Sequence, residues 1–477
     1  MTILLYFIDP GTPASAADKR SIIFILIDDL RHDTFGFMGH PFVQTPHLDS
    51  LAAHGLVFSN AFVTTALCSP SRASILTGLY AHEHGVLDNS TELPEQLPTF
   101  PRLLQEAGYR TGFIGKWHMG GANDAPRPGF DRWVSFKGQG VYNNPSLNID
   151  GKRAEAQGYT TDLLTDHAVD FIRSSDEKPF MLYLSHKAVH ADFQPAERHK
   201  GCYSKEVIPH PGTMANTEEN YAGKPDWVRA QRDSWHGVDG MYNGRIEFDP
   251  FVRDYCETLR AVDDSVGRVV EALREKGLLE STLLVFTSDN GFLFGEHGLI
   301  DKRSMYEPSI RVPLIAHCPE LVKGGTKREE MIVNLDFGPT FLEAAGLSVP
   351  ESMRGRSFLR LLAGEKVEWR EAFLYEYFWE RSFAHTPTVF GVRTPRYKLM
   401  QYQGIEDLNE MYDLEADPEE RHNLLRDFRI HHESGTLDGL ILKEATGEIK
   451  SIYQDLRGKL RDLLAETGAT GEAKWGR

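Results

Sequence analysis

The chain is short of the features that mark several large protein classes. No apolar run is long enough to cross a bilayer, so a transmembrane helix is excluded. Cysteine is scarce. Cys68, Cys202, Cys256 and Cys318 are the only four in 477 residues, and their spacing supports no metal cluster. Positive charge is in deficit, with 52 Lys and Arg against 69 Asp and Glu and a net charge of −17. That balance argues against nucleic acid as a partner and against broad binding of a long polyanion. A small anion can still be held by a local cationic pocket. Internal repeats and low-complexity segments are also missing. What remains is the composition of a soluble globular protein, long enough for a large core and for two or three domains.

The first twenty residues read in two ways. Ile3-Leu4-Leu5-Tyr6-Phe7-Ile8 looks like part of an export signal's apolar core, and Ala14-Ser15-Ala16 like a cleavage site. The apolar stretch is short and no basic segment precedes it. Residues 1–20 are therefore either a degraded signal or a disordered tail. The first implies a periplasmic or secreted protein, the second allows a cytoplasmic one.

From residue 21 onward, apolar runs alternate with amphipathic segments, the pattern of a largely parallel sheet flanked by helices. Strands are expected at Ser21–Ile27, Thr111–Gly115, Phe180–Ser185, Ser281–Thr287 and Pro313–His317. Helices are expected at Pro46–His54, Thr99–Ala107, Tyr159–Ser174 and Asp249–Glu275. Residues 201–244, rich in Gly, Pro, Asn and charge, read as a long surface excursion. Composition shifts again near Gly364-Glu365-Lys366. Beyond it, Phe373–Tyr377, Phe390–Thr394 and Tyr397–Tyr402 suggest antiparallel strands, and Glu448–Thr467 a helix. The expected division is a catalytic domain at 21–367 and a smaller α+β domain at 368–477.

The first four strands each run into polar residues, and in open α/β sheets ligands bind beyond the carboxyl ends of the strands. Strand Ser21–Ile27 leads into Asp28-Asp29, and strand Ser281–Thr287 into Ser288-Asp289-Asn290-Gly291. These are hard oxygen donors, suited to Ca²⁺ or Mg²⁺ and not to zinc. Taken singly, each motif is also an ordinary strand-to-helix turn.

The most informative run is Leu67-Cys68-Ser69-Pro70-Ser71-Arg72-Ala73-Ser74-Ile75-Leu76-Thr77-Gly78. A lone free cysteine ahead of a helix is usually a buried structural residue. The pattern C-x-P-S-R followed by A-S-x-L-T-G, however, resembles the signature of type I, formylglycine-dependent sulfatases. The order D-D, C-x-P-S-R, G-K-W-H, D-N-G is similar to that family from Ile22 to the segment Tyr412–Glu420. The resemblance implies an alkaline-phosphatase-like α/β fold and hydrolysis of a sulfate ester through a formylglycine-sulfate intermediate. It also implies a maturase that converts Cys68 to formylglycine. With Cys68 so used, at most one disulfide can form.

By the same resemblance, Asp28, Asp29, Asp289 and Asn290 ligate a divalent ion, and the group derived from Cys68 completes the shell. Flexible carboxylates and a carboxamide favour Ca²⁺ over Mg²⁺, which demands stricter geometry. Arg72, one helical turn from Cys68, shares its face. Lys116 is similar to the family lysine between nucleophile and sulfate, and His118 to the base that allows sulfate to leave. His190 resembles the histidine at the ester's bridging oxygen, as general acid or sulfate ligand, with His186 as its competitor. Lys302 resembles the second sulfate-binding lysine. Asp301 and Arg303 read as a solvated pair, while Tyr306, Glu307 and Arg311 read as loop-fixing residues. His297 reads as structural, and His40, His54 and His431 as ordinary histidines.

For the substrate, Tyr142–Asn148, Ser185–Phe193 and Glu376–Arg393 look like carbohydrate sulfatases of the N-acetylglucosamine-6-sulfatase type. Trp379 and Phe383 could stack on a sugar ring, and His385 or Arg393 could bond its hydroxyls. The alternative is that these side chains belong to the core of the smaller domain. A small sulfated carbohydrate is the expected partner, with neither nucleic acid nor membrane. A phosphonate monoester or phosphodiester hydrolase of the same superfamily, or a non-catalytic sugar-binding relative, are the rival readings.

Overall fold

The computed structural model describes residues 19–244, 246–404, 408–428 and 445–469. The N-terminal segment 1–18, with the signal expected there, and His431 lie outside the described residues. The described part is built on a ten-stranded mixed sheet. Its centre is five adjacent parallel strands in the order Leu283–Ser288, Ile22–Ile27, Phe180–Ser185, Arg110–Lys116 and Arg132–Phe136. Leu314–His317 and Leu56–Phe58 extend one side antiparallel, and Thr326–Arg328 closes that edge. The hairpin Ser146–Ile149 and Lys152–Glu155 closes the other.

Central strands covered on both faces must be apolar at every position, and Ile-Ile-Phe-Ile-Leu-Ile at 22–27 is wholly buried. Alternation sends Ile22, Phe24 and Leu26 into one hydrophobic cluster and Ile23, Ile25 and Ile27 into the other. Helices Cys68–Thr77, Phe100–Glu106 and Phe337–Ala344 contribute to the first cluster. Pro46–His54, Thr160–Arg173 and Phe248–Glu275 contribute to the second. A second, four-stranded antiparallel sheet follows the large one: Phe373–Tyr377, Thr388–Arg393, Tyr397–Gln403 and Glu410–Asp413. Helix Gly447–Glu466 buries Tyr453, Leu456 and Leu460 in the same region.

Each strand and helix expected from the pattern forms, with ends shifted by a few residues. Several short strands lie outside the expected set, and two further differences stand out. Arg132–Phe136 is an additional central strand, too short and too mixed in composition to stand out. Residues 201–244 are not simply a surface excursion. They contain helices Glu218–Tyr221 and Asp226–Gln231, bury Lys224, Trp227 and Val228, and bridge Gly237 to Leu299. Turn-forming residues dominate the composition there, but a few apolar side chains decide which way the segment packs. All four cysteines are free.

Candidate active site

The carboxyl ends of four parallel strands meet the N-terminus of helix Cys68–Thr77, and the predicted residues converge there. Asp28 and Asp29 leave the first strand, Asp289 and Asn290 leave the strand ending at Ser288, and Lys116 closes its own. Asp29 and His118 both adopt left-handed backbone, φ 61° and 62°. That conformation is uncommon for residues with a Cβ, and it concentrates where a site requires it. Gly115 precedes Lys116 at φ 123°, and a Cβ there would lie 1.7 Å from the Ser185 carbonyl oxygen. Only glycine lets these two strand ends approach so closely.

Cys68 is fully buried as the first residue of its helix, with Sγ 3.4 Å from Asp28 Oδ1 and 3.9 Å from Asp29 Oδ1. Burial, reinforced by Asp28, holds the thiol well above its ordinary range. An unmodified Cys68 is therefore a poor thiolate nucleophile. Asn290 Nδ2 donates to Asp29 Oδ1 at 2.6 Å, and the Asp29 amide donates to Asp289 Oδ1 at 3.1 Å.

Three buried carboxylates share this volume, and ligand atoms of Asp28, Asp29 and Asp289 lie within 4.8 Å of one another. Burial and the Asp28 charge push Asp289 up to about 7. Burial also raises Asp29, against the pull of Lys302. Asp28 goes the other way, because Lys116, His190, Arg72 and Lys302 together outweigh its burial. The Asn290 side-chain oxygen is buried with no hydrogen-bond partner. Crowded carboxylates plus an orphaned carbonyl oxygen fit a hard divalent cation.

The basic residues surround the acids. Arg72 Nε donates to Asp289 Oδ2 at 2.8 Å, and its Nη1 donates to the Lys116 carbonyl and Ser185 Oγ at 2.7 Å each. Its Nη2 stands 3.6 Å from Asp28 Oδ1, without a hydrogen bond. Lys116 donates to Asp28 and to Gln139. Lys302 donates to both Asp29 oxygens, at 2.7 and 2.5 Å. Burial disfavours the Lys302 ammonium, but Asp29 and Asp301 more than reverse this.

His118 is buried, with Nδ1 3.4 Å from Ser69 Oγ, and burial with the nearby Lys116 keeps the imidazole neutral. His190 is partly exposed, its Nε2 3.8 Å from Asp29 Oδ2. Its Nδ1 lies 2.5 Å from the Ala191 carbonyl, an acceptor, so Nδ1 carries the hydrogen. Burial and Lys116 lower its affinity for a second proton. The competitor His186 is buried, and its Nε2 contacts Ser265 Oγ at 3.0 Å.

Other assignments need correction. Asp301 and Arg303 are buried, not solvated: Asp301 binds Arg303 and His236 at 2.8 Å each and Lys302 at 3.0 Å. The charges survive burial because each has an opposite partner, and spacing along the chain cannot supply that information. Arg393 is not available to a sugar. Its guanidinium is buried against Glu307 at 3.2 Å, donates to the Thr394 carbonyl, and lies 4.5 Å over the Phe62 ring. Glu307 is thus fixed as expected, and His297 packs on Tyr306 at 4.3 Å between ring centres. Trp379 is half-buried, its indole N–H donating to the Ala384 carbonyl at 3.1 Å, and His385 is exposed. Between them, Phe383 covers Arg303 at 3.9 Å and stacks on His236 at 4.5 Å, so this segment packs on the two partners of Asp301. Gln139 and His236 escaped sequence reasoning. Gln139 lies in a Gly-x-Gly turn, a weak signal, and His236 sits in the turn-rich segment far from any motif.

Comparison with known proteins agrees with this geometry. The sulfatase family model matches residues 20–347, and the model for the C-terminal part of N-sulphoglucosamine sulphohydrolase matches 295–444. N-acetylglucosamine-6-O-sulfatase of Bacteroides thetaiotaomicron is 34% identical, over 87% of this chain and 84% of its own. Human N-acetylglucosamine-6-sulfatase is 33% identical over 78% and 70%. A protein solved in complex with its substrate D-glucosamine-2-N,6-O-disulfate superposes with a TM-score of 0.85 at 30% identity, covering 96% of this chain and 99% of that one. The phosphonate monoester hydrolase of Agrobacterium radiobacter, at 21% identity and a TM-score of 0.76, shares the alkaline-phosphatase-like fold, covering 94% of this chain and 96% of that one. A family model spanning the whole central sheet, with relatives a third identical over most of their length, makes this protein a member of the sulfatase family of sulfuric ester hydrolases.

Proposed function

We propose that this enzyme removes sulfate from a 6-sulfated glucosamine, with N-acetylglucosamine 6-sulfate as the favoured substrate. The observation that carries the reading is Cys68, set against Asp28 and Asp29 at the meeting point of Arg72, Lys116, His118, His190 and Lys302. The named relatives support the sugar, as does the solved neighbour's disulfated substrate.

Asp28, Asp29, Asp289 and Asn290 would hold the ion, calcium by the character of the donors. When present, the ion supplies Lewis-acid polarisation, and the hydrated aldehyde made from Cys68 by a maturase supplies the attacking hydroxyl. Arg72 orients that hydroxyl and offsets the carboxylates. The acids Asp28, Asp29 and Asp289 are matched in number by Arg72, Lys116 and Lys302. A divalent cation therefore leaves the pocket in positive excess, complementary to sulfate. Lys116 and Lys302 then bind sulfate oxygens, as preorganised charge for the transition state.

His118, neutral in its buried site, takes the proton whose removal lets sulfate leave. His190 sits at the bridging oxygen and becomes an acid once the sulfate charge favours its imidazolium. Trp379 and His385 would meet the sugar, with residues 21–367 carrying the chemistry and the described part of 368–477 supplying these two side chains. Maturation in this way fits a periplasmic or secreted enzyme.

The test is sulfate release from N-acetylglucosamine 6-sulfate by protein co-produced with a formylglycine-generating maturase. Cys68→Ala is expected to lower the rate roughly 10⁴-fold or more, as loss of a nucleophile does. Undiminished activity in that variant, or preference for an aryl phosphodiester over every sugar sulfate, would overturn the proposal.

A further inference from the structure

Lys187 has no role in the chemistry above, yet it lies in the loop that presents His190. The residue is 4% exposed. Among the described residues its ammonium makes no ion pair or hydrogen bond, and it stands over the Tyr142 ring at 4.4 Å. Tyr142 in turn donates its hydroxyl to the His190 carbonyl at 2.6 Å. The Lys187 amino group therefore stands beside the support of the residue read at the scissile ester. Its charge acts on the same pocket: it is among the charges that disfavour protonation of His190.

An ammonium on a largely buried residue, set over one aromatic face, is under-compensated, because a cation–π contact is worth less than the hydration it replaces. Burial, then Lys116, pushes Lys187 down to about 8, against a smaller opposing pull from Asp28, Asp29 and Asp192, none of which it pairs with. The neighbouring lysines differ in kind. Lys116 and Lys302 each hold a carboxylate, while Lys187 holds none.

We infer that Lys187 is a specificity-determining residue whose ammonium receives a second anionic group, a sulfate or carboxylate, carried by the substrate beside the ester that is cleaved. This rests on the sugar 6-sulfatase reading and extends it to sugars that carry a second charge. A singly sulfated sugar leaves the Lys187 charge unmatched; a doubly charged one neutralises it. No bond is made or broken at Lys187, so the effect belongs in KM more than in kcat.

The experiment compares matured wild-type enzyme with Lys187→Met and Lys187→Arg on N-acetylglucosamine 6-sulfate and on glucosamine N,6-disulfate. Methionine keeps the stem that packs on Tyr142 and removes only the charge. Lys187→Met is expected to cost the disulfate about 10–100-fold more in kcat/KM than the monosulfate, the worth of one charged hydrogen bond. Most of that loss should appear as a raised KM, and Lys187→Arg should restore the preference. Equal losses on both sugars would show a packing role and overturn the inference, as would no change in the ratio. If wild-type enzyme cleaves neither sugar, the 6-sulfatase reading has failed. The ratio is then read from inhibition of aryl sulfate hydrolysis by the same two sugars. Selective loss of inhibition by the disulfate in Lys187→Met would support the inference, and an unchanged ratio would overturn it.

Discussion

Among the described residues, two buried ionic clusters are similar in composition and opposite in design. Near the smaller sheet, Lys224, Lys398 and Arg393 face Glu307, Glu410 and Glu420. Glu410 accepts from Lys224 at 3.4 Å, Tyr306 at 2.9 Å and Tyr402 at 2.5 Å. Lys398 reaches both Glu307 and Glu420 at 2.8 Å. None of these six charged side chains has an unpartnered buried atom. In the pocket, three acids and three bases are also packed together, but like charges adjoin and Asn290 Oδ1 and Arg72 Nη2 are left over. The first cluster is closed and fastens residues 224, 307, 393, 398, 410 and 420 together. The second is complete only with something added. Unsatisfied valence, more than buried charge as such, separates a site from a scaffold.

The sharpest way to break this comparison is to remove one carboxylate from each cluster. Asp289→Asn should cut activity roughly 10²–10⁴-fold, several kcal/mol of lost metal assistance. The melting temperature of the chelator-treated protein should hold or rise, because burial and Asp28 disfavour the Asp289 charge more than its pairing with Arg72 favours it. Glu410→Gln should do the reverse, destabilising the fold by about 3–5 kcal/mol, as breaking a buried pair does, with KM unchanged. Thermal unfolding and steady-state kinetics on both variants decide the matter, and a parallel loss of stability in both would erase the distinction.

The next effect is confined to the pocket. His190→Ala should slow a sugar sulfate roughly 10²–10⁴-fold and an aryl sulfate with an acidic phenol far less, since only the poor leaving group needs a proton. Equal damage to both substrates would make His190 a sulfate ligand and nothing more.

The smallest effect tests a scaffold contact. His82 Nδ1 lies 2.7 Å from Glu376 Oε2, and Glu376 raises the imidazole's affinity for its proton although burial opposes it. A raised folded value means that this stabilisation is complete below the ordinary histidine range and is lost as pH rises through the folded value. The difference in melting temperature between wild type and Glu376→Gln should therefore shrink between about pH 5 and pH 9. A difference independent of pH would mean that the pair contributes as a neutral hydrogen bond.

Much of the fold was legible because its signals are local. A buried central strand must be apolar throughout, so Ile22–Ile27 and Phe180–Ser185 stand out from their neighbours. The polar residues that end such strands mark the site, and the Cys68 run with its ordered companions names the chemistry. Those properties belong to the sequence itself. Only the tertiary structure decided which charges are spent and which are free. Arg393 and Lys187 are both cations near sugar-like motifs; one is locked to Glu307 and the other holds no carboxylate. Asp301 is buried against His236, a partner from the turn-rich segment. Charge pairing of this kind depends on through-space distance, which residues remote in the chain acquire only when the sheet and its loops close on one another.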